Sequence, residues 1–216
     1  MKQMLPTVRH DLPGWTLFWA HLSLQAHDPA ALAEAFATGQ VVARRAWSLE
    51  TLAQHATVAA VRKLFRLAGC DPTRYRPSSE ALLRRVLRGE RLPAIHPAVD
   101  VNNLLSIALG VPACVVDATR VASPFVLRAG RPGERMLSMR GDFDLDGKPL
   151  LADAEGPFGT PITDSERFKI RGGVGEVLLV AYLPTVCELD DETRTTLDRL
   201  LDATGVASLT AAGLTA

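Results

Sequence analysis

The apolar positions of this chain fall into two textures. From Trp15 to Leu24 the run WTLFWAHLSL is rich in aromatic residues and holds no turn former, which predicts a strand. Asp28-Pro29 then opens a short helix, which Gly39 is expected to stop after Thr38. A longer helix follows over about 49–68, with Leu52, Val58, Val61, Leu64, Phe65 and Leu67 as its apolar stripe and Gly69 as its end. Ser78 is expected to cap a helix that runs through Arg88 to Gly89, with Ala81, Leu82, Leu83, Val86 and Leu87 inward. His96-Pro97 begins another helix, ended by Gly110, in which Val101, Leu104, Leu105 and Ala108 recur at helical spacing.

Beyond Gly110 the texture changes to short strands and turns. Val111–Val116, Phe125–Leu127, Met136–Met139 and Leu150–Ala152 are strand candidates. EVLLVAYLP, Glu176 to Pro184, is a nearly continuous apolar run of the kind found in central strands. A last helix spans about Asp190 to Ala203, and the terminal TAAGLTA is expected to fray. Helices first and strands second give an α+β class, a mixed sheet flanked by helices. A length of 216 residues suits one domain with a small added layer: a strand and helices in 1–70, a core in 71–205 and a tail in 206–216.

Composition narrows the class. Hydrophobic residues are 47% and charged residues 22% of the chain, which excludes a disordered chain. No apolar run approaches the roughly 20 residues of a membrane span. The opening MKQMLPTVRHDLPGW lacks the apolar core of a secretion signal, so a cytoplasmic protein with reduced thiols is expected. The net charge is zero but polarised, with 18 basic and 10 acidic residues in 1–140 against 6 basic and 14 acidic in 141–216. Between Arg62 and Arg91 nine basic residues face only three acidic ones. Two readings stay open: a solvated face paired with the acidic part, or a surface for phosphates, whose oxygens match arginine forks.

Most familiar chemical motifs are missing. There is no GxSxG, HExxH, CxxC or phosphate-cradling glycine loop, and the five histidines lack metal-ligand spacing, so neither cofactor nor metal is expected. GGVG, Gly172–Gly175, precedes a strand instead of following one and reads as a turn. Asp142, Asp144, Asp146, Gly147 and Asp153 match a calcium-loop spacing, but no amphipathic helices flank them. Asp146-Gly147 reads instead as the turn of a hairpin with acidic flanks. A pairing of Cys114 with His96 competes with the plainer reading of Cys114 as a small buried hydrophobe.

The stretches RYRPSSEALLRR and HPAVDVNNLLSIALGVP, then Asp117, resemble the tRNA-editing domain of the phenylalanyl-tRNA synthetase beta subunit, and especially free-standing proteins built from that domain. LLADAEGPFGTPITDSERFKI and VLLVAYLP follow in the same order, so the resemblance covers about Asp71 to Pro184. It implies an ester hydrolase acting on mischarged aminoacyl-tRNA. Such a site needs to hold the amino acid, place a water and aim donors at the developing oxyanion, without a side-chain nucleophile. The family's Thr-Asn pair falls on Asn102 and Asn103, and its turn proline on Pro112. Its histidine is replaced by Cys114, and the glutamate that reads a tyrosine hydroxyl falls on Val180. On this reading the segment Gly156–Gly159 supplies backbone donors, and the basic cluster, with Arg74, Arg76, Arg84, Arg85 and Arg88, steers the acceptor stem.

Each of these residues also has a purely structural reading. Asn102 and Asn103 could satisfy backbone groups at a strand–helix junction. Asp100 could cap a helix whose dipole favours negative charge at its start. Asp153 and Gly156 could simply shape a loop. The functional alternative to hydrolysis is a non-catalytic module that binds RNA or a small amino-acid-like ligand.

Overall fold

In the computed structural model, which describes residues 8–172 and 175–215, strand β2 (Trp15–Leu24) is the interior strand around which the other layers assemble. Nine of its residues pair antiparallel with β9 (Glu176–Pro184) and eight with β10 (Ala207–Thr215). The other edge of β9 pairs with β3 (Ala113–Asp117), giving the order β10-β2-β9-β3. Alternation along β2 sends Phe18, Ala20 and Leu22 to one face and Trp15, Leu17 and Trp19 to the other, and both faces are buried. That is why its sequence is so rich in aromatic and aliphatic residues.

On the first face lie helices α1 (Pro29–Ala46), α4 (Pro97–Leu109) and α5 (Asp190–Thr204), with α3 (Ser78–Leu87) packed against α4. Against the second face lies another sheet, in the order β1-β4-β7-β8: β1 (Val8–His10), β4 (Phe125–Ala129), β7 (Pro149–Asp153) and β8 (Gly156–Gly159). Its β1 runs parallel to β4, and the other neighbours are antiparallel. Helix α2 (Ala56–Leu67) inserts Val61, Leu64 and Phe65 into the same cluster. A ribbon of β5 (Arg135–Ser138) and β6 (Gly141–Asp144) completes the fold. The mixed α+β class, with sheets flanked by helices, is as the sequence indicated.

Helix α4 touches α1, α3, α5 and β3, and ten of its thirteen residues are buried. Each fully buried Leu on it contributes about 1.5–3 kcal/mol of transfer free energy. Pro97 at its first position and Gly110, left-handed at φ 72°, set the ends the sequence marks. The stripe differs at one place: Ala108 is exposed, and Leu109 is buried in its stead.

Several other expectations need correcting. Gly39 does not stop α1, which continues to Ala46. A Cβ at Gly39 would lie 2.5 Å from Leu104 Cδ2, so this glycine lets α4 pack closely, which offsets its helix cost of about 1 kcal/mol. The helix expected over 49–68 is a 3₁₀ turn, Leu52–Gln54, followed by α2. Ser78 is not the cap of α3: Pro77 holds that place, and no side chain caps it. The tail is not frayed, because residues to Thr215 pair with β2. No hairpin forms about Asp146-Gly147, since β6 pairs with β5 and β7 with β4. The neighbouring Lys148 is buried there, with its Nζ 4.0 Å from the Tyr75 ring centroid and bonded to the Asp146 carbonyl. The acidic residues of this stretch are engaged separately: Asp142 pairs with Arg135, and Asp144 accepts from the Asp146 N–H. The first seven residues, and part of the GGVG turn, lie outside the described residues. Among those described, no helix is long and apolar enough to cross a membrane.

Candidate functional site

The start of α4 is held by its own side chains. His96 caps it, its Nδ1 accepting from the Ala98 N–H at 3.3 Å, and burial holds the imidazole's pKa below its ordinary value. Asp100 turns back to accept the Ile95 N–H at 3.0 Å, and burial raises its pKa. The structural reading of Asp100 therefore accounts for its geometry. One turn further on, Asn102 donates from Nδ2 to the Ala113 carbonyl, tying α4 to the first residue of β3.

A cavity of about 410 Å³ opens at this junction. Asn102 and Asn103 form one wall, and Ser78 and Leu82 from α3 another. Ala113 and Val115 of β3 form the floor, and Thr160 to Asp164 with Ile170 close the far side. Exposed Ile95, Met139 and Lys169 stand at its mouth. The lining is mostly apolar, through Val99, Val115, Ile162 and Ile170, with a few polar groups between them.

Three atoms among those polar groups lack partners. Ser78 Oγ, Asn102 Oδ1 and Asp164 Oδ1 are buried atoms without a hydrogen bond, and all three belong to residues lining this cavity. An unmade hydrogen bond on a buried polar atom costs about 1–3 kcal/mol, and three of the seven such atoms among the described residues belong to the residues of this one cavity. Asp164 is held rigidly. Its backbone bridges Gly159 and its carbonyl accepts the Met139 N–H at 3.1 Å. Thr160 folds the preceding loop, its Oγ1 accepting from the N–H groups of Ile162 and Thr163. Burial pushes the Asp164 carboxyl up to about 7, offset in part by the Thr160 N–H.

The family-implied residues separate by strand parity. Asn102 and Asn103 are on the cavity wall. Cys114 sits between Ala113 and Val115 and so faces the opposite cluster, fully buried, with Sγ 3.8 Å from Tyr182 Oη. Burial raises both the Cys114 thiol and the Tyr182 phenol, so both stay protonated. His96 and Cys114 are therefore on different sides of β3, and the small-hydrophobe reading of Cys114 fits. Val180 pairs with Cys114 and shares its face. Pro112 lies behind the cavity, its carbonyl accepting the Tyr182 N–H. Gly159 bounds the Asp164 side: a Cβ there would be 3.7 Å from Asp164 Oδ1 and 3.2 Å from Cys114 Sγ. Gly156 is elsewhere, in a groove with Arg135 and Arg167, and its N–H donates to Asp153 Oδ1. Asp153 also pairs with Arg167 at 2.9 Å and so shapes that turn.

The arginines divide likewise. Glu80 is fully buried and collects Arg62 at 2.8 Å, Arg84 at 2.9 Å and Arg76 at 3.7 Å. Arg85 pairs with exposed Glu90, Arg74 lies over the Tyr75 ring, and Arg88 is exposed without an ion pair among the described residues. Arg85 follows Ser78 and Leu82 on one stripe of α3 and continues it past the cavity. Among the described residues no cluster of His, Cys, Asp and Glu could hold a metal ion.

Sequence reasoning missed Asp164, Ser78 as a wall residue, and the cap role of His96. The signal for Asp164 was faint: one acid in the Thr-rich segment TPITD, carried to the cavity only by the β7–β8 pairing.

Comparison with known proteins gives a consistent picture. The B3/4 domain model matches residues 60–207. The phenylalanine–tRNA ligase beta subunit of Pasteurella multocida (strain Pm70) is 32% identical over 105 residues, 48% of this chain and 13% of that protein. The same subunit of Nocardia farcinica (strain IFM 10152) is 36% identical over 74 residues, 34% of this chain and 8% of that protein. The chain thus matches a small fraction of the length of these relatives. The crystal structure of an N-terminal fragment of the Pyrococcus horikoshii phenylalanyl-tRNA synthetase beta-subunit aligns with 99% of this chain and 51% of that fragment. Its TM-score is 0.50 at 13% identity, a likeness of fold.

Proposed function

The chain belongs to the B3/4 domain family, and from that premise we propose that it is an editing-type domain that holds the aminoacyl end of a mischarged tRNA and hydrolyses its ester. The observation that carries this reading is the cavity at the start of α4, apolar in most of its lining, three of whose lining residues each carry a buried polar atom without a hydrogen bond. An aminoacyl group has the matching character: an apolar side chain beside an amine and an ester.

The chemistry asks little of the protein. Water adds to the ester carbonyl, the tetrahedral centre collapses with loss of the ribose oxygen, and the free amino acid and tRNA remain. No side-chain nucleophile is needed, which agrees with Cys114 being walled off behind β3. Asn103, on the wall and without a side-chain hydrogen bond among the described residues, is the amide donor available to the developing oxyanion. The apolar lining and the remoteness of Val180 favour an apolar aminoacyl side chain over a phenol. Arg85, beyond the cavity on the α3 stripe, with Arg74 and Arg88, supplies exposed charge for the acceptor-stem phosphates.

The test is a panel of mischarged tRNAs incubated with the protein at low salt, following loss of the ester. Turnover of at least one pair is expected. Retention of RNA, or ligand-induced stabilisation, with no turnover of any pair would instead show a non-catalytic binding module.

A further inference from the structure

We infer that Asp164 is the anchor for the ligand's primary amine, with the Asn102 amide oxygen and the Ser78 hydroxyl as its further acceptors. This deepens the proposed function and rests on its assignment of the cavity as the aminoacyl site.

Asn102 uses one of its two amide N–H donors on the Ala113 carbonyl, and its Oδ1, which can only accept, has no partner. Asp164 Oδ1 is an acceptor once the carboxyl is ionised, and Ser78 Oγ can accept as well. A cavity that offers acceptors calls for a group rich in donors. A primary ammonium presents three N–H donors from one atom and carries the charge that a half-buried carboxylate needs. A carboxylate or phosphate ligand, by contrast, would face Asp164 with like charge.

The surroundings leave Asp164 without a counter-ion of its own. Cys114 and Tyr182, which approach from β3 and β9, are neutral. His96, on the opposite wall, is kept neutral by burial. Lys169 at the mouth is exposed and directed to Glu166 at 3.4 Å. The carboxyl is thus desolvated, positioned from both sides of its backbone and without a cationic partner, which fits a group that receives a charged ligand.

Calorimetric titration with L-leucinamide tests this, against N-acetyl-L-leucinamide, in which the amine is blocked, and 4-methylpentanamide, in which it is absent. The wild type is expected to bind L-leucinamide at least about tenfold more tightly than either control. Asp164→Asn is expected to lower leucinamide affinity by about tenfold or more and to leave 4-methylpentanamide unchanged within about twofold. Ser78→Ala removes only an oxygen that bonds nothing in the protein, so it keeps the fold and is expected to weaken leucinamide by roughly threefold to tenfold. Equal binding of the three ligands, no binding of L-leucinamide at millimolar concentration, or wild-type discrimination in both variants would overturn the inference. Amine discrimination in a protein that turns over no mischarged tRNA would support the anchor while removing the hydrolase reading; turnover that ignores N-acetylation of the aminoacyl group would do the reverse.

Discussion

Asn102 donates its side-chain amide to the carbonyl of Ala113, 3.2 Å away, while the side chain of its neighbour Asn103 lines the same cavity and has no hydrogen bond among the described residues. The two halves of this Asn-Asn pair therefore have different duties. Asn102→Ala strands a buried carbonyl and is expected to cost about 1–3 kcal/mol in urea unfolding. Asn103→Ala is expected to change stability by no more than about 0.5 kcal/mol and to reduce ester hydrolysis. Equal destabilisation by both would return the pair to a purely structural role.

The ion-pair cluster around Glu80 gives a second prediction. Removing its charge by Glu80→Gln leaves Arg62, Arg84 and Arg76 to repel one another. The expected loss is about 1–3 kcal/mol, moderated because these arginines still reach solvent. Thermal unfolding measures it, and an unchanged midpoint would mean the cluster is not structural.

It follows that the five arginines expected to steer the acceptor stem should not behave alike on RNA. Substituting Arg74, Arg85 or Arg88 with Ala is expected to weaken tRNA binding and to flatten the log–log salt dependence by about 0.7–0.9 per lost phosphate contact. Arg84→Ala is expected to act chiefly through stability. Filter binding across a salt series, with unfolding curves for each variant, separates the two groups.

Asp164 predicts a pH signature. Its folded-state pKa of about 7 lies above the unfolded value near 3.8, so between these limits the folded state binds the proton more tightly. A raised carboxyl pKa costs stability above about pH 7, and that cost fades as pH falls toward 4. Without ligand, Asp164→Asn should therefore melt above the wild type at pH 8, with the gap closing at pH 4. A lower melting temperature at pH 8 would show that Asp164 stabilises the fold. Because the carboxylate and the ammonium share one proton more than the doubly deprotonated pair, leucinamide binding should peak between about pH 7 and 8, where the free α-amine also titrates, and Asp164→Asn should lose the acidic limb.

The parts legible in the sequence were those whose ends carry their own chemistry. Strands β2 and β9 show as largely apolar runs because both their faces are buried, and α4 is bracketed by Pro97 and Gly110. The failures were places where a distant contact overrode a local signal. Gly39 looks like a stop until Leu104 is seen to occupy the space of its missing side chain. The tail looks frayed until β2 is seen to offer it an edge. At the site, the NN pair was visible on its helix, but Cys114 and Val180 could be placed behind the cavity only once the parity of β3 and its register with β9 were known. Asp164 reaches the cavity from a loop some sixty residues beyond α4, through strand pairings that no local pattern encodes.

The most direct measurement is single-turnover hydrolysis of mischarged tRNAs bearing apolar amino acids, comparing the wild type with Asn103→Ala at matched, verified folding. The account predicts ester loss with the wild type and a rate lower by roughly 100-fold in the variant, the scale of a missing oxyanion donor. Equal rates in the two proteins, or no ester loss above the uncatalysed rate with any tRNA, would contradict it.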